Sequence, residues 1–281
     1  MRPLLARFVL LFVFVTMAVA QQTQPAPAHA PQPTPSAHAA TQPSDVIGPM
    51  SHIVPPPTGF TLPEETYVYN AEWRIWTAGT VTLGISREGT EQRVSGTAQS
   101  RGVVSMLYPV NDHFQALYDP KTFCSLSLQK HSEEGLHKRD TLISYIYARS
   151  KSILDETNLK TNETKHVEND IPGCVTDVIS GLMYLRSLPL VVGTSYTFPV
   201  NDGGKTVDVT AKVEAKETIK VPAGTYQTIR VSPESGNAFK LKGKIWIWYT
   251  DDARRIPVMM RGKMFWGTLD FKLTRTDTNK K

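Results

Sequence analysis

Apolar and polar residues alternate along most of the chain, and this pattern constrains the fold more than any other feature of the sequence. Tyr67, Tyr69 and Ala71, for example, alternate with Asn70 and Glu72. A period of two places every second side chain on the same face, which is typical of a strand with one buried face. Short turn sequences separate the runs, so consecutive strands should pair as antiparallel neighbours. The sequence therefore predicts a mainly β protein.

One segment breaks the alternation and predicts a short helix near residues 177–187. Val178 and Leu182 stand at helical spacing, Asp177 is a suitable N-cap residue, and Arg186 suits the carboxyl end of the helix dipole. About a dozen strands are too many for a flat open sheet. We therefore expect a single curved antiparallel sheet that forms an open or closed β-barrel around this helix.

The first twenty residues have the composition of an export signal. Arg2 and Arg7 flank the start of an apolar run, and Ala18-Val19-Ala20 supplies the small residues that a signal peptidase recognises. The run is shorter than the roughly 20 apolar residues of a membrane helix, so we expect cleavage near Ala20 and a mature chain that does not span a membrane. Gln21, not a cysteine, follows the cleavage site, which argues against an amino-terminal lipid.

Composition divides the rest of the chain. Residues 21–63 hold 11 of the 20 prolines and no Lys or Arg. Such a stretch buries too little apolar surface to fold, whereas the residues that follow have the composition and the length of one globular domain. The predicted organisation is a signal peptide over 1–20, a disordered linker over 21–63, a single barrel-like domain over 64–276 and a disordered tail over 277–281.

Charge excludes one class of partner. The formal charge of +5 falls to +3 when Arg2 and Arg7 leave with the signal. The remaining basic residues are spread along the chain and form neither a clustered patch nor a recognition motif. We therefore expect no nucleic-acid partner.

The two cysteines, Cys124 and Cys174, are the candidates for a disulfide. An even number of cysteines in an exported protein favours a disulfide, and closing a loop of about 50 residues would stabilise the fold by about 4 kcal/mol. Two buried free thiols are the alternative. The cysteines do not form a Cys-x-x-Cys pair, so a redox role is not expected.

The sequence lacks the common signatures of catalytic sites, including His-Glu-x-x-His, Gly-x-Ser-x-Gly, the phosphate-binding loop and the dinucleotide fingerprint. We therefore name no catalytic residue and no cofactor. His131 and His137 flank a turn with Glu133 nearby, which is one arrangement for a metal, but the basic tip of this hairpin is more simply a solvated loop and we expect no metal. An enzyme with a site of strand-borne acids and His113 remains an alternative.

Aromatic residues and methionines concentrate in the last three predicted strands. Trp246 and Trp248 alternate with Ile245 and Ile247, so both faces of this strand are apolar. Packing against the helix or a neighbouring protomer is one explanation, and an apolar ligand cavity is the other. The candidate cavity residues are Trp246, Trp248, Met260, Met264 and Trp266, with Asp177 and Arg186 to orient a polar head group.

Three blocks of sequence carry a resemblance to a known family. Residues 177–186 read DVISGLMYLR, residues 221–226 read VPAGTY and residues 248–258 read WYTDDARRIPV. In these blocks the chain resembles an uncharacterised family of bacterial exported β-proteins, known as a domain of unknown function, over the span from Tyr67 to Leu273. The resemblance implies a periplasmic or outer-membrane-associated protein whose curved sheet is similar to lipoprotein-carrier half-barrels. It brings no established activity.

These observations favour a non-enzymatic periplasmic module that binds or maintains a component of the cell envelope, with a lipid-like or polymeric ligand in an apolar concavity. A periplasmic hydrolase with an unrecognised site is one alternative. A scaffold that docks onto another envelope protein is the second. Secretion or association with the outer membrane is the alternative address.

Overall fold

The computed structural model describes residues 52–73, 76–235, 243–264 and 267–278. Within these ranges the chain forms one antiparallel sheet of fourteen strands and two short helices. The predicted mainly β fold, with a single antiparallel sheet and a short helix near 177–187, is confirmed. The predicted signal peptide, residues 21–51 of the predicted linker and the last three residues of the predicted tail lie outside the described ranges, whereas the first two residues of that tail, 277 and 278, end the last strand.

The strands follow one another with short connections, except where the helices intervene. The strands are β1 (Glu65–Trp73), β2 (Trp76–Glu88), β3 (Glu91–Ser100), β4 (Asn111–Tyr118), β5 (Ser125–Glu134), β6 (His137–Ile146), β7 (Lys151–Asn158), β8 (Thr164–Asp170), β9 (Ser195–Asn201), β10 (Thr206–Val221), β11 (Gly224–Glu234), β12 (Gly243–Thr250), β13 (Pro257–Met264) and β14 (Gly267–Thr278). The helices are α1 (Gly102–Leu107) and α2 (Val178–Tyr184), and the 3-10 turns are Tyr147–Arg149 and Leu185–Ser187.

The strand order is β8-β7-β6-β5-β4-β3-β2-β1-β14-β13-β12-β11-β10-β9. The two terminal strands, β1 and β14, meet in the middle of the sheet, and β8 and β9 are its edges. The sheet is therefore open. No helix in the described part of the chain is long and apolar enough to cross a membrane.

Connections alternate between two ends of the sheet because every neighbouring pair of strands is antiparallel. The connections that follow odd-numbered strands lie at one end, which we call the rim end. Those that follow even-numbered strands lie at the opposite end, which we call the helix end because it carries α2. Tyr249 of β12 donates its hydroxyl hydrogen to Leu182 O of α2 at 3.1 Å, so the side of the sheet that Tyr249 faces is the inner face.

The core lies between the inner face and α2. Ile179, Met183 and Tyr184 of α2 are buried. The ring of Tyr184 lies 5.0 Å from that of Phe198 and 5.6 Å from that of Phe123, so aromatic packing joins the helix to β9 and to the β4–β5 connection. The same face of β1 contributes buried residues at every second position, as its alternation predicts.

The β9–β10 hairpin folds inward and packs against the opposite edge region of the sheet. Tyr145 of β6 donates its hydroxyl hydrogen to Asn201 O at 2.7 Å. Gly203, at the tip of the hairpin, has a φ of +88°, and a Cβ at this position would lie 2.4 Å from Leu154 Cδ1 and 2.9 Å from Ile143 Cδ1. Only glycine fits this contact. The hairpin therefore occupies the space that the open sheet leaves between its two edges.

The segment before β1 is packed against the domain. Ile53 and Leu62 are buried, and Gln92 Nε2 donates to Leu62 O at 2.6 Å. The packed chain therefore begins before residue 64, the start of the domain in the sequence-based prediction. Two isolated apolar residues in a proline-rich stretch have no periodicity that would have revealed this packing.

The predicted disulfide is present in the structure. Cys124 and Cys174 are joined with an S–S distance of 2.01 Å. Beyond the disulfide, Thr176 forms an isolated parallel bridge with Val200. This short segment pairs with β9 and covers part of one edge of the sheet.

Candidate functional site

Asp177, a candidate cavity residue, is the buried N-cap of α2. Its Oδ1 accepts hydrogen bonds from Ile179 N at 2.7 Å and from Ser180 N at 2.9 Å. Its Oδ2 accepts from the hydroxyls of Ser180 and Ser125, both at 2.6 Å. The carboxylate therefore holds the helix to β5, and its hydrogen-bonding capacity is used within the protein.

Arg186, the second residue proposed to orient a head group, is buried at the other end of the helix. Its Nη2 donates to Tyr67 Oη and to Arg254 O, both at 3.0 Å. Tyr67 in turn donates to Glu65 Oε2 at 2.5 Å, and Arg254 Nη2 donates to Glu65 Oε1 at 2.7 Å. Burial raises the pKa of Tyr67 to about 12. Arg186 thus anchors an internal network that ties α2 to β1 and to the β12–β13 connection.

Trp246 and Trp248 lie on the outer face, since they alternate along β12 with Tyr249. The indole N–H of Trp248 donates to Glu217 Oε2 at 2.9 Å, and the guanidinium carbon of Arg261 lies 5.8 Å from its ring centroid. Lys244 Nζ lies 5.1 Å from the ring centroid of Trp246. Charged side chains with long apolar stems therefore lie over both indoles, and Trp248 is buried.

Met260 lies on the inner face, because it pairs with Ile247 of β12 and Phe271 of β14. Met264 ends β13, and the backbone alone is described there. Trp266 lies outside the described residues. The structure therefore places the described candidates on two faces of the sheet and does not bring them into one cavity, and a ligand for them stays a prediction.

An apolar cavity is present at the inner face near the rim end. Its volume is about 20 Å³, and it is lined in part by Ala71, Val81, Ala98, Leu269 and Phe271. A space of this size holds about one water molecule. It is too small for an acyl chain.

Among the residues that the structure describes, six large apolar side chains are exposed at the rim end, and we call this set the apolar rim. They come from four connections, namely the β1–β2 turn, α1, the β5–β6 turn and the β7–β8 turn. The set comprises Trp76 (59% exposed), Val103 (62%), Met106 (84%), Leu107 (75%), Leu136 (77%) and Leu159 (36%). Helix α1 has no fully buried residue, and Val103, Met106 and Leu107 are its exposed apolar side chains.

The residues that follow α1 hold two parts of the rim together. Tyr108 is buried and packs on Gly135 of the β5–β6 turn, where a Cβ would lie 2.7 Å from Tyr108 Cε2. Gly135 N donates to Pro109 O at 2.8 Å. Helix α1 and the β5–β6 turn, which carries Leu136, therefore form one supported unit.

Two carboxyl groups lie beneath this unit. Asp112 of β4 is fully buried, and its Oδ1 accepts from Glu133 N at 2.9 Å. Burial raises the pKa of Asp112 to about 6. Burial and the neighbouring Asp112 carboxylate raise the pKa of Glu134 to about 7. Burial disfavours the charged form of both groups, and the Asp112 charge further disfavours ionisation of Glu134, so the pair retains a proton up to near-neutral pH.

Basic side chains are exposed around the rim. Among the described residues, those in or next to the connections of the rim end include Arg101, Lys138, Lys160, Lys244 and Lys263, together with the exposed carboxylate of Glu163.

A second surface feature is a groove of about 390 Å³ on the outer face of β4 to β7. Two cross-strand rows of side chains line it. One row comprises His113, His131, Asp140 and Thr157, and the other comprises Gln115, Gln129, Leu142 and Asp155. We call this feature the outer-face groove.

Histidine–carboxylate pairs border the outer-face groove. His131 Nδ1 lies 2.6 Å from Asp140 Oδ1, and His166 Nδ1 lies 2.6 Å from Asp155 Oδ1. His113, named in the alternative of an enzyme, has its ring centroid 6.3 Å from that of His131. Across the described ranges, no group of three or more His, Cys, Asp or Glu residues is arranged to hold a metal ion.

Sequence reasoning found neither the apolar rim nor the outer-face groove as a unit. The rim draws one to three residues from each of four separate connections, and the groove draws two residues from each of four strands. The available signal was the presence of large apolar residues inside turns, such as Leu136 directly after Gly135. Turn residues of this kind have no reason to be apolar in a solvated loop.

A family model described as "Protein of unknown function (DUF3108)" matches residues 68–274. No curated protein sequence matches the chain. Among solved structures, the chain is similar to a β-barrel-like protein of the domain of unknown function DUF1849 from Brucella abortus, with 8% sequence identity and a TM-score of 0.58. The similarity covers 78% of this chain and 99% of that one, and it supports the barrel-like fold.

A "putative lipoprotein" from Parabacteroides distasonis also matches, with 10% identity over 81% of this chain and 99% of that chain. Its TM-score is 0.30, so this similarity does not bear on the fold.

Proposed function

Since the chain belongs to the DUF3108 family, a family of unknown function, we propose its function from its own surface: it is an exported envelope protein that binds a lipid surface through the apolar rim. The observation that carries the proposal is the convergence of six exposed large apolar side chains from four connections at one end of the sheet. Monomeric proteins seldom collect apolar side chains in this way without a binding partner.

Burial in a membrane interface accounts for the composition of the rim. Fully burying a large apolar side chain contributes about 1.5–3 kcal/mol. Trp76, Met106, Leu107 and Leu136 are each more than half exposed, so most of this free energy is available on contact with a bilayer. Side chains at the tips of turns reach the boundary between head groups and acyl chains without requiring the domain to unfold.

The basic side chains around the rim favour an anionic lipid surface. Each Lys or Arg close to such a surface contributes about 1 kcal/mol at moderate salt. Lys138 and Lys244 are already paired with Glu133 and Glu214, so their contribution is reduced. We therefore propose that binding is mainly apolar and is strengthened by negative head groups.

In this proposal, the export signal determines the compartment in which the protein acts. Cleavage near Ala20 would deliver the mature chain to the envelope of the cell, where lipid surfaces are the principal boundaries. The small volume of the inner cavity, about 20 Å³, argues against a lipid enclosed inside the sheet at that position. The lipid-like ligand class that the sequence favoured is kept in this proposal. Its proposed location changes from an internal concavity to the apolar rim.

Flotation of the mature chain, beginning at Gln21, with vesicles tests the proposal. We expect the protein to float with vesicles of phosphatidylethanolamine and phosphatidylglycerol. We expect at least tenfold less protein to float when Met106→Ser, Leu107→Ser and Leu136→Ser are combined. A control variant, Val191→Ser with Val192→Ser, removes two exposed apolar side chains of the β8–β9 connection, away from the rim, and should float like the unaltered protein.

Two outcomes would overturn the proposal. One is an unaltered chain that stays with the soluble fraction at all lipid compositions. The other is a rim variant that floats as well as the control. Loss of a co-purifying protein, with no change in flotation, would assign the rim to a protein partner instead.

A further inference from the structure

The outer-face groove has the dimensions of an extended ligand. It crosses four neighbouring strands, β4 to β7, and strands lie about 4.8 Å apart, so its length is about 14 Å. Its volume of about 390 Å³ is in the range of ligand sites. A groove that runs across strands fits a linear molecule that lies flat on the sheet.

Groups that both donate and accept hydrogen bonds line the outer-face groove. Gln115 and Gln129 occupy neighbouring strands and are exposed, and each amide offers two donor hydrogens and one acceptor oxygen. Asp140 and Asp155 each use one oxygen for a histidine and keep the other as an acceptor. Adjacent hydroxyl groups are the ligand chemistry that matches such a mixture, because each hydroxyl is a donor and an acceptor.

An apolar side chain lies at the centre of these polar groups. Leu142 is exposed, and its row places it between Gln129 of β5 and Asp155 of β7. A sugar ring has an apolar face of C–H groups and a polar rim of hydroxyls, so it can cover Leu142 and still reach the flanking amide and carboxylate. A purely polar ligand would leave Leu142 unused.

The charge of the groove excludes strongly ionic ligands. Asp140 and Asp155 are the charged groups that face the ligand space, and each has a carboxylate oxygen 2.6 Å from a histidine Nδ1. Lys130 lines the groove with its backbone, since its side chain is buried on the inner side next to Asp202. An anionic polymer would meet carboxylates, and a cation would find them already paired.

We infer that the outer-face groove binds a neutral polyhydroxyl chain, such as an oligosaccharide. The two histidines hold the carboxylates in place before the ligand arrives, which reduces the entropy lost on binding. The groove lies on the sheet face across β4 to β7 and does not include the side chains of the apolar rim. The two surfaces are therefore independent, and this inference does not depend on the lipid proposal.

Calorimetric titration of the mature chain with three hexasaccharides tests the inference. Chitohexaose and maltohexaose are neutral, and a hyaluronan hexasaccharide of similar length is anionic. We expect at least one neutral chain to bind and the anionic chain to bind at least tenfold more weakly. Gln129→Ala combined with Leu142→Ser should weaken the neutral ligand at least tenfold.

Gln227→Ala is the matched control, because Gln227 is an exposed glutamine of β11, far from β4 to β7 in the strand order. Its affinity for the neutral chain should stay within about twofold of the unaltered protein. Circular dichroism checks that the variants are folded. The inference is overturned if neither neutral chain binds at about 10 mM, if the anionic chain binds equally well, or if the groove variant behaves like the control.

Discussion

The buried carboxyl group of Asp112 accepts a hydrogen bond from Glu133 N at 2.9 Å and lies beside the carboxyl group of Glu134, beneath the apolar rim. The pKa values of Asp112 and Glu134 are raised, to about 6 and about 7, chiefly by burial. The same unit includes Tyr108, whose pKa burial and the two carboxyl groups raise to about 12. Support of the rim by Tyr108 and the β5–β6 turn is therefore coupled to protonation near neutral pH.

Stability should fall as the pH rises through the titration of this pair. Because both pKa values are higher in the folded protein than in the unfolded chain, the folded state binds more protons, and most of the stabilisation present at low pH is lost between about pH 4.5 and pH 7. We expect a loss on the order of 2 kcal/mol in the free energy of unfolding, measured by urea denaturation. Asp112→Asn keeps the acceptor oxygen for Glu133 N without the second charge and should reduce the loss by at least half.

The free energy of unfolding of the Asp112→Asn variant should still fall somewhat as the pH rises. The reason is that burial also raises the pKa of Asp202, despite the neighbouring Lys130. The lowered pKa values of Glu133 and Glu214 act in the opposite direction at more acidic pH, below this window. If the free energy of unfolding falls with pH as steeply in Asp112→Asn as in the unaltered protein, the Asp112–Glu134 pair is not the source of the pH dependence.

Removal of the disulfide should destabilise the fold strongly. Cys124 and Cys174 are 50 residues apart, and a crosslink that closes a loop of this size stabilises by about 4 kcal/mol. Cys124→Ser with Cys174→Ser should therefore lower the free energy of unfolding by about this amount. Reductant should destabilise the unaltered protein similarly and leave the double variant unchanged, and an effect of reductant on the variant would contradict the explanation.

The β9–β10 hairpin offers a test with two adjacent glycines. Gly203→Ala places a methyl group against Leu154 and Ile143 in a backbone conformation that favours glycine, whereas a Cβ on Gly204 meets no atom within 4 Å. We expect Gly203→Ala to lower the free energy of unfolding by about 2–3 kcal/mol and Gly204→Ala to change it by less than about 1 kcal/mol. Equal thermal shifts for the two variants would mean that the tip does not pack as described.

Substitution of Asp177 should alter stability and leave lipid flotation unchanged in the folded protein. Asp177→Ala removes four hydrogen bonds from a buried N-cap, which costs about 2–4 kcal/mol. Asp177→Asn keeps one acceptor oxygen for the backbone of α2 and should lose roughly half as much. A ligand-orienting role for Asp177 would instead appear as weakened binding with unchanged thermal stability.

Much of the fold follows from local sequence patterns. Alternation in β1 predicts its buried face, because Tyr67, Tyr69 and Ala71 share one face of the strand. That face packs into the core. The helix after Asp177 is predicted from its cap and its apolar spacing, and the disulfide from the number of cysteines. Helix α1 escapes prediction because its six residues are too few to show a period and because it buries none of them.

The apolar rim and the outer-face groove depend on which connections and strands lie next to one another in the fold. Local sequence patterns do not contain that information. Trp248 illustrates the limit, since an indole on the second face of a strand predicts either a cavity or a partner. The structure covers it with Glu217 and Arg261, whose polar character hides their packing role in the sequence. The register across β10 to β13 brings these residues together.

The described chain starts at the helix end, where Val54 N donates to Tyr184 Oη at 3.1 Å. If the apolar rim is seated on a bilayer, everything that precedes residue 52 enters the domain from the pole that points away from the lipid. The protein would then be polarised, with one pole adhering to a membrane and the entry point of the amino-terminal segment at the opposite pole.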